Sequence, residues 1–326
     1  MLLPFYTNTP NWLPYKLRKA DPVSIQWIFR GEKTPTEPFF DDTLNACRGY
    51  MENSRIGEMI STPEDMIRLA KSSDSVKPGA FIFHISRCGS TLLSQLLAMD
   101  KEHISLSEVP VFDAILRSRY SFPSLDEEWV DQAFRAAVQL HSVRLHGVET
   151  TCFIKTDCWH IFYYEQLRRL YPGVPFILLY RSPDEVLRSQ QKKRGMQSVP
   201  GIVESSLMGI NEEDAASTNL DFYFSRVMEN ILAAFCKVAA ADPLVIPVNY
   251  SQGMEDVYSI TLQSAGIDSA EKMDQSIRDR IQYHGKYPDQ PFSGEEKIEE
   301  PDPLLVNCFE QYGKLESIRT ARQNNA

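Results

Sequence analysis

The chain has 326 residues, of which 43% are hydrophobic and 24% are charged, and its formal net charge is −10. This length and composition are those of a globular protein with a sizeable core, in one large α/β domain or two smaller ones. The negative charge argues against a surface built for nucleic acid or an anionic membrane, so neither is expected as a partner, although a basic pocket within an acidic surface is compatible with it.

The first residues, Met1 to Asn8, contain no cationic leader and no sustained apolar run, which indicates no signal peptide. The longest apolar runs, such as Pro175 to Tyr180, have the length of a strand and are too short to span a bilayer. The six cysteines are scattered, without a Cys-x-x-Cys pair or zinc-type spacing. These features predict a soluble, reduced protein of the cytoplasm.

Residues 1–76 are rich in proline, tryptophan and phenylalanine and carry no repeat. We interpret them as an N-terminal layer that packs on a main domain formed by residues 77–326. Within this layer, Thr62 to Asp65 predicts the start of a helix. The stretch combines a capping hydroxyl, a proline at the first helical position and an acid in the first turn.

Five short segments predict strands that alternate with helical segments. A continuous apolar run suits a strand that is buried on both faces of a sheet. The alternation implies right-handed crossovers, and hence an α/β fold of three layers with a central, mostly parallel sheet. The predicted strands are 81–85, 103–107, 151–155, 175–180 and 244–249, of which the last tolerates Pro247 if it lies near an edge.

Sequence signals also predict where helices begin and where the chain is irregular. The stretches Ser124 to Glu127 and Ser182 to Glu185 read as capping boxes, the first opening a long amphipathic run that stops at Gly147. Residues 195–220 lack a clear period and predict a long loop or lid. The tract from Gly285 to Pro303 predicts an exposed meander before a final helix.

The loop from Ser86 to Thr91 joins the first of these strands to a segment with leucines at helical spacing. Backbone N–H groups and a helix N-terminus would converge there, beside the Arg87 cation and two hydroxyl groups, which suits a phosphate or a sulfate. The usual nucleotide-binding pattern is G-x-x-x-x-G-K-[ST]. Only Gly89 and Thr91 match it, because His84 stands where the pattern has its first glycine and Ser90 stands where it has lysine.

Further polar residues follow directly on predicted strands. They are Glu108, Lys155 with Asp157, and Arg181. The carboxyl ends of parallel strands form the ligand crevice of an open sheet, so we expect these groups to converge with the loop.

The stretch His84-Ile-Ser-Arg-Cys-Gly-Ser-Thr-Leu-Leu resembles the 5′-phosphosulfate-binding loop of sulfotransferases, which use 3′-phosphoadenosine 5′-phosphosulfate as donor. Those loops have a lysine or arginine, a small residue, a glycine and then two hydroxyl residues. The resemblance therefore implies five donor-binding residues, namely Arg87, Cys88, Gly89, Ser90 and Thr91.

Arg181 and Ser189, eight residues apart across a strand-to-helix junction, look like the family's site for the donor's 3′-phosphate. An arginine supplies a fork for phosphate oxygens, and a serine two turns into the next helix can face back toward the strand end. The resemblance covers roughly residues 79 to 195. The family's C-terminal nucleotide-binding segment is not recognisable beyond a comparison with His284-Gly-Lys286.

The stretch Phe153 to Asp157 is similar to the strand end of cytosolic sulfotransferases, where Lys-Thr-His carries a catalytic lysine and the base. Here Asp157 stands in place of the histidine, whereas Glu108 resembles the glutamate that acts as base in the tyrosylprotein and carbohydrate branches. We predict that Glu108 is the base, with Asp157 as the alternative. Lys155 and Arg87 are the predicted cations that stabilise the transferring group.

The resemblance implies an enzyme that moves a sulfuryl group from 3′-phosphoadenosine 5′-phosphosulfate to a hydroxyl or an amine. Because this group carries less negative charge than a terminal phosphoryl group, side-chain cations suffice and no metal is expected. The acceptor, whether a small molecule, a glycan or a peptide, is not identified by the sequence, and neither is the oligomeric state. Two other functions stay open: a P-loop kinase or other nucleotide phosphotransferase, which the missing lysine disfavours, and a non-catalytic nucleotide-binding module.

Overall fold

Two separate β-sheets organise the chain in the computed structural model, which describes residues 11–19, 22–55, 58–283, 285 and 302–324. The strands are β1 (Trp12–Arg18), β2 (Ser24–Phe29), β3 (Met59–Ser61), β4 (Pro78–His84), β5 (His103–Ser107), β6 (Thr151–Lys155), β7 (Phe176–Tyr180) and β8 (Val245–Asn249). The first sheet is antiparallel with order β1-β2-β3, and the second is parallel with order β5-β6-β4-β7-β8. Helices flank the parallel sheet, which confirms the predicted α/β class.

Helices of very different lengths connect these strands. The α-helices are α1 (Phe40–Cys47), α2 (Met51–Arg55), α3 (Pro63–Lys71), α4 (Ser90–Ala98), α5 (Pro110–Leu116), α6 (Ser118–Ser121), α7 (Glu127–His141), α8 (Tyr164–Leu170), α9 (Pro183–Lys192), α10 (Glu212–Ala215), α11 (Leu220–Ala241), α12 (Met254–Ser264), α13 (Ser269–Lys272), α14 (Gln275–Ile281) and α15 (Val306–Gln323). Short 3₁₀ turns occupy Cys158–Tyr163, Met196–Ser198, Tyr250–Gln252 and Pro303–Leu305.

The chain divides into two compact units, residues 1–79 with 94–155, and residues 80–93 with 156–326. The prediction that residues 1–76 form a layer on a domain of residues 77–326 stays a prediction. None of the helices in the described ranges combines the length and the apolar character needed to cross a membrane.

In the first unit, α7 packs on α3 and α5, and α5 packs on β1. The antiparallel sheet was not predicted from the sequence. Its strand β1 carries Pro14, which has no N–H to donate, but β1 lies at the edge of the sheet and its register shifts between Pro14 and Lys16. Edge strands and bulges are where a sheet tolerates proline.

In the second unit, β7 is buried along its whole length, as its unbroken apolar run predicts. Pro247 lies on β8 at the edge of the parallel sheet, as expected. The long helix α11 packs on α15 and on α9. Residues 195–220 hold only a 3₁₀ turn and α10 before α11 begins, so their irregularity is confirmed, while their role as a lid stays a prediction.

Two of the three predicted capping interactions are wrong, although α9 begins at Pro183 as predicted. Thr62 caps α3 as predicted, because its hydroxyl accepts from Asp65 N at 3.1 Å. Asp126 rather than Ser124 caps α7, through a bond from Trp129 N at 2.7 Å. A carboxylate one residue before the helix outcompetes the more distant hydroxyl, because it is charged and adjacent to the free N–H groups.

Helix α7 also ends earlier than predicted, at His141 instead of Gly147. The other failed capping box precedes α9. Glu185 pairs with Arg181, and the Ser182 hydroxyl donates to Asp184, so neither side chain makes the predicted cap. The predicted final helix is confirmed as α15, whereas most of the predicted meander between Gly285 and Pro303 lies outside the described residues.

Candidate functional site

The loop after β4 adopts a backbone conformation that L-residues rarely take. Ser86 has φ 66°, Arg87 has φ 52° and Gly89 has φ 85°. For the two non-glycine residues, sparsely populated backbone regions cost on the order of 1–3 kcal/mol each. Such strain persists only where surrounding contacts hold it, and it concentrates at ligand-binding loops. The turn leads directly into α4, whose first residue is Ser90.

His84 fixes the start of this turn. Its Nδ1 accepts from Ser86 N at 3.0 Å, so its Nε2 carries the proton that is donated to Thr156 O at 3.0 Å. The residue is 5% exposed, so His84 is a hydrogen-bonded core histidine.

Further hydrogen bonds tie the loop to the end of α9. Gln190, which is fully buried, donates from Nε2 to Ser86 Oγ at 3.1 Å and accepts from Gly195 N at 2.7 Å. Arg87 donates from Nη2 to the carbonyl of Lys193. These bonds hold the two strained residues and the C-terminal end of α9 together.

The other predicted loop residues are buried. Cys88 is fully enclosed and its Sγ donates to Leu179 O at 3.3 Å, so only a small side chain fits there. Ser90 and Thr91 lie in the first turn of α4 and are 4% and 8% exposed. They occupy the N-terminus of the helix, a position whose backbone N–H groups favour an anion.

Tyr250, which the sequence analysis did not single out, contacts both predicted anion-binding elements of this unit. A Cβ built on Gly89 would lie 2.5 Å from Cε2 of the Tyr250 ring, so a side chain at position 89 would require the ring to move. The Arg181 guanidinium carbon lies 4.9 Å from the centre of the same ring, within the range of a cation–π contact. Burial raises the pKa of Tyr250, and Arg181 opposes that shift.

Arg181 is 5% exposed and is oriented by Glu185. Its Nε and Nη2 donate to the two carboxylate oxygens at 3.0 and 2.8 Å. Within the described residues its Nη1 makes no hydrogen bond, so this nitrogen of the guanidinium group can still donate to an anion. Ser189 lies one turn beyond Glu185 on the same face of α9, because residues four apart in a helix are neighbours.

One residue of the compared segment His284-Gly-Lys286 falls within the described part of the chain. A Cβ on Gly285 would lie 2.9 Å from the backbone N of Leu92 in the first turn of α4, and Gly285 O accepts from Arg280 at 3.4 Å. Gly285 therefore lies against the helix that follows the loop from Ser86 to Thr91, which we call the anion loop. His284 and Lys286 lie outside the described residues.

The first unit brings Glu108 and Lys155 together. Ser107 and Lys155 are register partners of β5 and β6, and the next residue, Glu108, donates from its backbone N to Lys155 O at 2.8 Å. Lys155 Nζ is paired with the Glu108 carboxylate and donates to Ser107 Oγ at 3.2 Å. The lysine side chain is 1% exposed and that of Glu108 is 22% exposed, so solvent reaches the pair from the carboxylate side.

The backbone of Glu108 is also left-handed, with φ 54°. In the described part of the chain, the non-glycine residues with such a φ are Ser86, Arg87 and Glu108, all of which the sequence places in the candidate site. The Phe39 ring lies 5.8 Å from Lys155 Nζ, next to α1. Burial raises the pKa of Asp41 in α1, and the Asp42 and Glu108 carboxylates add to that shift.

Asp157 caps the 3₁₀ turn at Cys158–Tyr163. Its side chain accepts from the backbone of His160, and His160 Nδ1 accepts from Asp157 N at 3.3 Å. Both side chains are buried, and His160 Nε2 lies 3.7 Å from Asp157 Oδ2. These contacts give Asp157 a structural role, and its part in catalysis stays a prediction.

No protein-family model matches the sequence, and no curated protein matches it either. Three solved structures are similar to this chain at low sequence identity. The sulfotransferase domain from the curacin biosynthetic pathway has 16% identity, with 74% of this chain and 99% of that chain covered and a TM-score of 0.43. The sulfotransferase domain from the Synechococcus PCC 7002 olefin synthase has 14% identity, with 76% and 96% of the two chains covered and a TM-score of 0.44. Sulfotransferase STF9 from Mycobacterium avium has 12% identity, with 81% of each chain covered and a TM-score of 0.44.

Proposed function

We propose that this protein is a sulfotransferase that moves a sulfuryl group from 3′-phosphoadenosine 5′-phosphosulfate to a hydroxyl or an amine. One observation carries the proposal: the anion loop and Arg181, 92 residues apart between Gly89 and Arg181, meet at the Tyr250 ring. A donor with a 5′-phosphosulfate and a 3′-phosphate on the same ribose requires two anion sites at such a short separation.

In the proposed donor site, the 5′ end binds at the loop and the 3′-phosphate binds at α9. Arg87, Ser90 and Thr91 bind the 5′-phosphosulfate, assisted by the α4 N-terminus. Cys88 and Gly89 let the backbone approach the ligand closely. Nη1 of Arg181 and the Ser189 hydroxyl bind the 3′-phosphate. Binding requires Arg87 to exchange its bond with the Lys193 carbonyl for a bond with the anion.

The proposed chemistry needs a base for the acceptor proton, cations on the transferring oxygens and in-line positioning. Glu108 is the proposed base. Its pairing with a buried lysine, its partial exposure and its strained backbone support this choice over Asp157, whose carboxylate caps a turn. Lys155 and Arg87 are the proposed cations for the sulfuryl oxygens, and no metal is required.

Calorimetry tests the donor assignment. Adenosine 3′,5′-bisphosphate in EDTA and ATP with magnesium are titrated into the wild-type protein, Arg181→Ala and Arg188→Ala. The control residue Arg188 lies on the same helix and pairs with Asp184 at 2.9 Å. We expect metal-independent binding of the bisphosphate, weakened about tenfold to a hundredfold by Arg181→Ala and unchanged by Arg188→Ala.

A preference for magnesium-ATP would overturn the proposal in favour of a phosphotransferase. Binding of the bisphosphate without turnover on any acceptor would favour a non-catalytic nucleotide-binding module. The acceptor panel therefore includes small alcohols and amines, glycans and peptides.

A further inference from the structure

A single carboxylate on the C-terminal helix holds the ends of two parallel strands. The Tyr180 hydroxyl donates to Glu316 Oε1, and Asn249 Nδ2 donates to the same oxygen at 2.9 Å. Tyr180 and Asn249 are the last residues of β7 and β8, they are register partners, and both are fully buried. Glu316 in α15 thus bonds to both members of one cross-strand pair.

The carboxylate is kept ionised by its surroundings. Arg319 donates to Oε1 at 3.0 Å and to Oε2 at 2.9 Å. Burial alone would raise the pKa of Glu316, but the hydrogen bonds from Arg319, Tyr180 and Asn249 outweigh it and hold the pKa below its usual value. Burial and the carboxylate raise the pKa of Tyr180, so the phenol stays a hydrogen-bond donor.

The residues that follow this pair belong to the proposed donor site. Arg181 follows Tyr180 and Tyr250 follows Asn249, and the Arg181 guanidinium lies over the Tyr250 ring. A change in the position of either strand end would therefore move one side of that contact. Binding sites need supporting residues that keep their first contacts within a fraction of an ångström of the productive geometry.

We propose that Glu316 is a positioning residue for the donor's 3′-phosphate. It does not touch the anion, and acts by fixing the strand ends that carry Arg181 and Tyr250. This inference rests on the proposed function, because it assigns a role within that donor site.

Helix α15 has other anchors that do not involve Glu316. Arg322 donates to the backbone carbonyls of Ala239, Asp242 and Val245, which join the end of α11 to the start of β8. Cys308 and Leu315 are buried against the same unit. Removal of the Glu316 carboxylate is therefore expected to loosen the strand ends while α15 stays docked.

The test compares two ligands that differ in the 3′-phosphate alone. Adenosine 3′,5′-bisphosphate and adenosine 5′-monophosphate are titrated by calorimetry into wild type, Glu316→Ala and Glu316→Gln. We expect Glu316→Ala to weaken binding of the bisphosphate about tenfold and to leave the monophosphate unchanged. Glu316→Gln keeps an acceptor oxygen for Tyr180 and Asn249, and we expect it to retain most of the preference for the bisphosphate over the monophosphate.

Glu310→Ala is the matched control, because Glu310 is exposed on the same helix and pairs only with Lys314 at 2.7 Å among its described hydrogen bonds. Tyr180→Phe is the second variant in case Glu316→Ala does not fold. It removes one hydrogen bond to the Glu316 carboxylate. We expect it to cause a smaller loss of affinity for the bisphosphate than Glu316→Ala and, again, no loss for the monophosphate.

The outcomes separate the two proposals. The role of Glu316 is overturned if Glu316→Ala and Tyr180→Phe keep the wild-type preference for the bisphosphate over the monophosphate. It is also overturned if these variants lose equal affinity for the two ligands. In both cases the donor assignment stands. A wild-type protein without any preference for the 3′-phosphate overturns the proposed function, and this inference with it.

Discussion

The guanidinium carbon of Arg181 lies 4.9 Å from the centre of the Tyr250 ring, and the edge of that ring lies against Gly89 of the anion loop. The ring therefore links two elements that we propose bind opposite ends of one nucleotide. Tyr250 and Gly89, which take part in this contact, each give a direct prediction.

Tyr250 is expected to act through its ring rather than its hydroxyl. Tyr250→Phe keeps the cation–π contact and should leave the affinity for adenosine 3′,5′-bisphosphate within about twofold. Tyr250→Ala removes the contact and should weaken binding about thirtyfold, since desolvated cation–π contacts are worth about 2 kcal/mol. Calorimetry measures both. Equal losses in the two variants would show that the hydroxyl, not the ring, is the contributing group.

Gly89→Ala is expected to destabilise the protein more than Gly266→Ala. Both glycines have left-handed φ, 85° and 77°, so each alanine costs about 1–2 kcal/mol in backbone strain. A Cβ at Gly266 meets no atom within 4 Å, whereas one at Gly89 would clash with Tyr250 and Met254. The clash adds about 1–3 kcal/mol. Urea denaturation measures the difference, and equal free energies of unfolding would contradict the packing described here.

Glu108→Gln keeps the size and hydrogen bonding of the side chain but removes its ability to take a proton. We expect turnover to fall about 10²- to 10⁴-fold, with affinity for the donor product unchanged. Asp41→Asn is the matched control, because Asp41 is a neighbouring carboxylate in the same unit and has no proposed role. Full turnover of Glu108→Gln together with loss of turnover in Asp157→Asn would transfer the role of base to Asp157.

We expect the buried His141 to make the stability of the folded protein sensitive to acid. It is fully buried between Phe40 and Phe112, it bonds to Ala137 O through Nδ1, and its Nε2 has no partner in the described part of the chain. Burial lowers the pKa of His141 from 6.5 to about 3. The unfolded chain then binds the extra proton, so stability is lost as the pH falls from 6.5 toward 3.

The expected slope from this one group is about 1.4 kcal/mol per pH unit. Urea denaturation of wild type and His141→Gln between pH 7.5 and pH 4 isolates it, because other titrating groups are common to both proteins. The free energy of unfolding of His141→Gln should fall less steeply with decreasing pH than that of the wild type. Identical pH slopes would mean that His141 does not stay neutral in the folded state.

The parallel sheet was predictable because its strands are mostly buried, and one of them, β7, reads as an unbroken apolar run. The antiparallel sheet was not, since Pro14 interrupts the pattern of β1 and only the edge position makes it tolerable. Capping was mispredicted where a nearer or more strongly charged partner was present. Arg181, four residues before Glu185, attracts its carboxylate away from the helix start.

The sequence predicted which strand ends carry the residues of the candidate site, but not which of these residues contact one another. Glu108 and Lys155 are 47 residues apart, and only the register of β5 on β6 pairs them. Tyr250 follows β8 as directly as Arg181 follows β7, so the same rule could have found it. Gln190 carried no local signal, because its importance comes from complete burial between Ser86 and Gly195.

The proposed reaction is tested most directly by transfer of radiolabelled sulfur from 3′-phosphoadenosine 5′-phosphosulfate to an acceptor panel, in EDTA, by wild type, Glu108→Gln and Arg181→Ala. We expect labelled acceptor without metal from the wild type, and little or none from either variant. Phosphoryl transfer from magnesium-ATP with no transfer of sulfur, or sulfur transfer that both variants retain in full, would contradict this expectation.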